Sequence, residues 1–290
     1  MKTEMLKTTT HKIYSSKEKL WSIIFVSFFL LLLVWNFIFL NNTALNKWLI
    51  ATANTYLLAS SATLLAFLFA KIFVDLNLRI FISQNKAASV ANRLFLDFLR
   101  SIPQVIFLLG GYAIMIFYFS GFSLINFIWL SFVISLVFLN DAYDEMQNRI
   151  NFYRQTDFFN ASLVAGIPLG KIVNRDILWR NSQPYLVNRA VNIFTASVFL
   201  LCSVDFIISV GLTNEINLAS LPVTLGNVLA NITAKEDILA VREIFVNPLY
   251  ITELFTKHLE GISAAILLLL TLISGFKISN GLIEKNNLNR

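Results

Sequence analysis

The chain has 290 residues, of which 57% are apolar and 14% charged, and Phe alone occurs 27 times. Soluble domains carry about 25% charged residues, so the composition excludes an ordinary soluble fold and points to an integral membrane protein. The formal net charge of +6 has to be judged by where the basic residues fall, not by their sum.

A hydrocarbon core about 30 Å thick requires about 20 mainly apolar residues per helical span. In chain order, the windows that meet this predict six spans, at 20–40, 50–74, 102–119, 122–140, 187–212 and 262–283. Residues 1–19 form a leader with Lys2, Lys7, Lys12, Lys17 and Lys19. The apolar run behind it exceeds the 7–15 residues of a signal-peptide core and has no small-residue cleavage site, so it is expected to stay as an anchor. Residues 20–290 are expected to form a single membrane domain. The Ser120-Gly121 turn between the third and fourth spans is short enough to impose an antiparallel hairpin.

Charge sets the orientation. The leader, the 75–101 segment (Arg79, Lys86, Arg93, Arg100) and the 141–189 segment (Arg149, Arg154, Lys171, Arg175, Arg180, Arg189) are basic. They alternate with segments poor in Lys and Arg, which places both termini in the cytoplasm by the positive-inside rule. The 213–260 segment faces outward and is acidic, with Glu215, Glu236, Asp237, Glu243, Glu253 and Glu260. The basic charge is therefore topological, and nucleic acid is not an expected partner.

Two connecting segments are long, 141–186 inside and 213–260 outside, and long loops usually carry function. In the inner one, Asp157 can cap a short helix whose narrow apolar side is Phe158, Phe159, Ser162 and Leu163. Gly166 can supply the left-handed residue that ends it. A second helix can begin at Pro168, with Leu169, Ile172, Val173 and Ile177 recurring at helical spacing while Lys171, Asn174, Arg175 and Arg180 face elsewhere. The expected product is a helix-turn-helix on the cytoplasmic surface, able to set an apolar ridge into a groove of a soluble partner or to rest on membrane lipid. The outer segment carries apolar runs at Leu218–Val223 and Val246–Tyr250 that could dock a partner or cap the mouth of a pore.

Catalytic machinery is not visible. Gly170-Lys171 in "GIPLGKI" has the wrong spacing for a phosphate loop, and Ile172 stands where Ser or Thr is required. His11 and His258 are the only histidines and lie on opposite sides of the membrane, so no metal site is expected. Cys202, the single cysteine, excludes a disulfide framework. No hydrolase motif or intramembrane acid pair occurs. Asp205, within the fifth span, is an ionisable group that is costly there unless it faces a partner or water, and it is a candidate either for lining a translocation path and meeting a cationic group on cargo or for a neutral or hydrogen-bonded Asp near the outer mouth. Lys71 and Asp75, one helical turn apart at the inner end of the second span, are assigned a structural role as a snorkelling pair.

The spacing of the inner segment resembles the cytoplasmic loop of bacterial ABC-transporter permeases, whose signature runs Glu-Ala-Ala, three residues, Gly, then Ile-Leu-Pro. Here Asn160-Ala161-Ser162 stands at the Glu-Ala-Ala position, Gly166 at the Gly, and Ile177-Leu178-Trp179 at the end, so the family Glu is Asn160 and the family Pro is Trp179. Asp97–Pro103 is similar to the Arg-x-x-Pro entry of these permeases, with Arg100 and Pro103 at the mouth of the third span. Leu225–Leu229 and the final Gly281-Leu282 resemble the dipeptide, oligopeptide and nickel branch. A phosphonate-type permease ranks second, and a non-transport scaffold or channel is the alternative from another class.

The resemblance implies an all-α polytopic fold of six transmembrane helices and a cytoplasmic coupling helix-turn-helix. It further implies a bacterial inner-membrane import permease for peptides or a similar small solute, not itself an enzyme. Asn160, Ala161, Ser162, Gly166, Pro168, Ile177 and Leu178 would form the loop that couples to the ATPase. The implied partners are ATP-binding subunits, which would use ATP and magnesium, a second permease chain and an extracytoplasmic solute-binding protein; no cofactor is expected on this chain.

Overall fold

Apolar runs bounded by polar caps set the helices of this chain, and the computed structural model describes residues 17–118, 123–211, 222–230, 245–253 and 259–288. Most of the leader, with His11, lies outside the described residues. So do the Ser120-Gly121 turn and most of the 213–260 segment, including Leu218–Leu221, Glu236, Asp237 and His258.

The described residues are helical, with no strand among them. The chain is a multi-pass membrane protein. Among the described residues, four helices are long and apolar enough to cross a bilayer alone, and six spans result only if each of two bent helix pairs counts as one.

Helix α1 (Lys17–Phe39) runs from an end marked by the Lys17–Glu284 ion pair, 2.7 Å, here called the proximal end. Helix α2 (Asn42–Ser83) returns from the distal end, where Lys47 meets Glu260 at 3.1 Å. Asn41 caps α2 by accepting from the Ala44 N–H at 2.8 Å, one of the donors a helix start leaves open. At 42 residues, α2 is about 63 Å long, twice what a bilayer needs. The 50–74 window therefore covers only its membrane half. Its buried stripe, Leu58, Ala62, Ala66, Ala70, Val74 and Leu78, repeats every fourth residue, and the small alanines let neighbouring helices approach closely.

The 75–101 segment is not a loop. After α2 only Gln84, with φ of 52°, and Asn85 intervene, and Asn85 caps α3 (Lys86–Ser101) through the Ala88 N–H at 3.2 Å. α3 is strongly amphipathic. It meets α4 (Gln104–Tyr118) at a 94° bend at Ile102-Pro103, where proline cannot continue a helix. α5 (Ser123–Val137) passes into the polar α6 (Leu139–Arg154) through a 46° break at Phe138. α4 and α5 have 15 residues each, about 22 Å, so the expected spans at 102–119 and 122–140 are shorter than a full crossing unless their bent partners are included.

The 141–186 segment is likewise nearly all helix: α6, then α7 (Asp157–Val164), the single turn α8 (Leu169–Lys171), and a π-helix over Ile172–Asn181. Helix α9 (Gln183–Gly211), the short α10 (Leu225–Ala230) and α11 (Leu259–Leu288) complete the bundle. α9 and α11 are pinned at the proximal end by Ser279 donating to Asn188, 2.6 Å. A core of α2, α4, α5, α6, α9 and the π-helix occupies one side, and a second cluster joins α1, α2, α9, α10 and α11.

Candidate functional site

Two places concentrate the sequence-derived residues: the elbow between α7 and the π-helix, and the surroundings of Asp205.

At the elbow, Thr156 takes the N-cap position and makes no side-chain cap bond, so Asp157 is the first helical residue instead of the cap. The C-terminal end follows the expected chemistry. Gly166 has φ of +74°, its N–H bonds to the Leu163 carbonyl at 3.0 Å, and the Ile167 N–H bonds to the Ser162 carbonyl at 3.1 Å. These paired bonds form the Schellman ending. A Cβ at Gly166 would meet no atom within 4 Å, so the constraint there is backbone conformation alone. Pro168 is extended, with ψ of 137°, and precedes the helix that starts at Leu169.

The second half is wound as a π-helix for ten residues, far beyond the usual single π turn. In an α-helix, positions five apart point about 140° from each other. With i→i+5 hydrogen bonds they stack along one side. Ile172 stacks with Ile177 in this way, and Val173 with Leu178; all four are buried in the main core. The apolar ridge expected to meet a partner is therefore turned inward, because the chain's own helices supply the apolar groove it needs.

The outward surface comes from elsewhere. Val164 is 90% exposed, and Phe158 and Leu163 42% each; Asn160, Ala161, Gly166 and Pro168 are also exposed. Ser162 is buried, its hydroxyl donating to the Phe158 carbonyl at 2.8 Å. Of the seven residues of the expected coupling loop, four thus lie on the outer surface, and Ser162, Ile177 and Leu178 lie beneath it.

The elbow is fastened to α2 by a polar clamp. Lys71 Nζ donates to both carboxylate oxygens of Asp75 at 2.7 Å and to Asn174 Oδ1 at 2.8 Å. Asn174 Nδ2 returns a bond to Asp75 at 3.1 Å. The Lys71–Asp75 pair is thus a bridge between α2 and the π-helix, not only a snorkelling pair. Lys171, Arg175 and Arg180 remain exposed.

Arg100 closes α3, reaching Asp97 at 3.4 Å and pairing with Asp144 of α6. Pro103 sits in the bend between α3 and α4. A cavity of about 160 Å³ at this junction is lined by Arg100, Gln104, Asn140, Asp141 and Asp144, among others.

Asp205 of α9 is 7% exposed. It accepts hydrogen bonds from Tyr112 of α4 and from Thr224, the residue before α10. The Leu225 N–H donates to Thr55 Oγ1 at 2.9 Å, Asn54 Nδ2 to the Val223 carbonyl at 3.0 Å, and Asn227 Nδ2 to Ser209 at 3.1 Å. A Cβ at Gly226 would come within 2.5 Å of the Cys202 carbonyl oxygen, so only glycine lets α10 lie this close to α9. The 222–230 stretch is therefore inserted into the distal part of the bundle, unlike the surface loop expected there. Outside it, Phe245, Val246 and Leu249 are 74–87% exposed.

Tyr112, Thr224, Thr55 and Asn54 carry no sequence signal of their own, since single polar residues are frequent in apolar spans. The one pointer was Asp205 itself. Among the described residues no group of three or more His, Cys, Asp or Glu is arranged to hold a metal. No protein-family model, no curated protein and no solved structure matches the chain.

Proposed function

We propose that this chain is the membrane-spanning permease subunit of an ABC importer that works with a binding protein and moves peptides or a similar small solute across a bacterial inner membrane. In this reading the proximal end is cytoplasmic, the α7–π-helix elbow docks on an ATP-binding subunit, and ATP is hydrolysed there and not on this chain. A second permease chain completes the path, and a solute-binding protein delivers cargo to the distal face.

The observation that carries the reading is the construction of the elbow. Its outer side offers an apolar tip, Val164 with Phe158 and Leu163, set beside basic residues. Its inner side is locked into the core by Ile172, Val173, Ile177 and Leu178 and clamped to α2 through Asn174. A surface so built transmits displacement: a push on the tip moves the π-helix, and with it the 42-residue α2, which carries Thr55 in the distal part of the bundle. There the Asp205 knot joins α2, α4, α9 and α10, and serves as the element whose opening or closing the push would bias. Coupling of this kind requires an element with two arrangements that both sites influence.

The test is site-directed photocrosslinking from Val164 in native membranes. An adduct with an ATP-binding protein, absent when the crosslinker is moved to buried Ile172, is the expected result. Adducts only with lipid, or with a protein that binds no nucleotide, would refute the proposal.

A further inference from the structure

A groove of about 480 Å³ lies between α1, α2, α9 and α11 in the proximal half of the bundle. Its volume is within the range of small-molecule sites, about 300–1,000 Å³. The floor is made of small residues, Thr63, Thr271, Ser274 and Gly275, and the rim includes Leu64 and Val187. The floor is buried, whereas Leu64 is 68% and Val187 51% exposed, so the groove opens sideways to whatever surrounds the bundle. α9 and α11 touch along the floor, where a Cβ at Gly275 would clash with Thr195.

The lining hydroxyls are mostly turned away from the groove. Ser60 donates to the Leu57 carbonyl, Thr63 to Ala59, Thr195 to Val191 and Thr271 to Leu267, at 2.7–3.1 Å. They present carbon to the groove and leave an apolar trough. Ser274 is the exception: it is 2% exposed and its Oγ has no hydrogen-bond partner. In hydrocarbon an unmade hydrogen bond is costly, and rotation about one side-chain bond lets a serine donate to an acceptor brought in by an occupant. At the proximal edge, one helical turn beyond Phe25 and Ser274, Lys277 lies 5.9 Å over the Trp21 ring. Trp and Lys mark the level of the lipid head groups.

We infer that this groove is a binding site for one acyl chain of an anionic glycerophospholipid, with the ester carbonyl at the depth of Ser274 and the phosphate beside Lys277. The three parts of the lipid match the three parts of the site in order: a hydrocarbon trough, an unpartnered hydroxyl one turn in from the edge, and a cation at the edge. A bare hydrocarbon would satisfy only the first. The inference rests on the chain crossing a membrane and is independent of the transport reading.

The experiment reconstitutes the full chain in phosphatidylcholine vesicles containing a phosphatidylglycerol with a diazirine midway along one acyl chain, followed by irradiation and peptide mapping. Adducts should concentrate on 187–195 and 271–278. They should be lost in the groove-filling variants Ala190→Phe and Ser60→Leu while those at lipid-facing Ile114 and Phe117 of α4 persist. Lys277→Gln should abolish the preference for this probe over a phosphatidylcholine carrying the same diazirine. Labelling spread evenly over the groove and α4 overturns the inference, as do groove adducts that survive both filling variants. A Val187→Cys chain that forms a disulfide-linked dimer in these vesicles would also overturn it, because the groove would then be an interface between two copies of the chain.

Discussion

Gly166 and Asp205 are the single residues on which most of the site depends, and for different reasons. Gly166 is needed for its backbone. A β-branched residue forced to φ near +74° costs about 1–2 kcal/mol, while Asn visits the left-handed region more readily. On the proposed transport function, Gly166→Val is therefore expected to stay in the membrane but lose transport, and Gly166→Asn to retain most of it; equal uptake by the two variants in whole cells would contradict this role. Asp205 is needed as an acceptor. Asp205→Ala leaves the hydroxyls of Tyr112 and Thr224 without their acceptor, at about 1–3 kcal/mol for each buried group. Asp205→Asn keeps one acceptor oxygen and should be milder. Thermal unfolding in detergent should rank wild type above Asp205→Asn and that above Asp205→Ala. If Asp205 instead faced a cation in an open path, both variants would unfold like wild type.

At the scale of elements, the clamp between α2 and the π-helix tests whether the elbow acts through α2. Lys71 and Asp75 side chains are 33% and 39% exposed, and a pair so exposed contributes only about 0–1 kcal/mol to stability. Asn174→Leu removes the bonds to both Lys71 and Asp75, and should reduce uptake far more than it lowers the unfolding temperature. A proportional fall in both would assign the clamp to folding alone. Element boundaries also show what the sequence made legible. α1, α9 and α11 follow long apolar windows whose bounds lie within a few residues of the helix ends. The apolar window in α2 ends at 74 because Lys71, Asp75 and Arg79 interrupt the run, whereas the helix continues to Ser83, since charge on a helix that leaves the membrane is no reason for it to end. Periodicity predicts an α-helix where the chain winds a π-helix: the inward residues are five apart, a period that mixes with the 3.6-residue pattern over so short a stretch. The Schellman ending at Gly166 was legible, because a local turn is encoded locally. The Asp205 knot was not, because Tyr112 and Thr224 lie 93 and 19 residues away from Asp205 and only the packed bundle brings them together.

For the molecule as a whole, the ion pair of Lys17 with Glu284 places the start of α1 and the end of α11 at one end of the bundle, together with the elbow. Single-cysteine chemistry can read this directly, since the native Cys202 is buried. In intact cells a membrane-impermeant thiol reagent should label Phe245→Cys and spare Val164→Cys, and in inside-out vesicles the order should reverse. Val228→Cys, in the inserted α10, should resist labelling from either side. Labelling of positions 245 and 164 from the same side would contradict the proposed orientation.

The central claim, that this chain is the membrane half of an ATP-driven importer, is tested most directly by affinity purification from native membranes in mild detergent and identification of every protein retained. An ATP-binding subunit is expected in the wild-type preparation, and its loss is expected with Gly166→Val while this chain is recovered in equal amount. Repeated gentle preparations that yield the chain with no nucleotide-binding protein would contradict it.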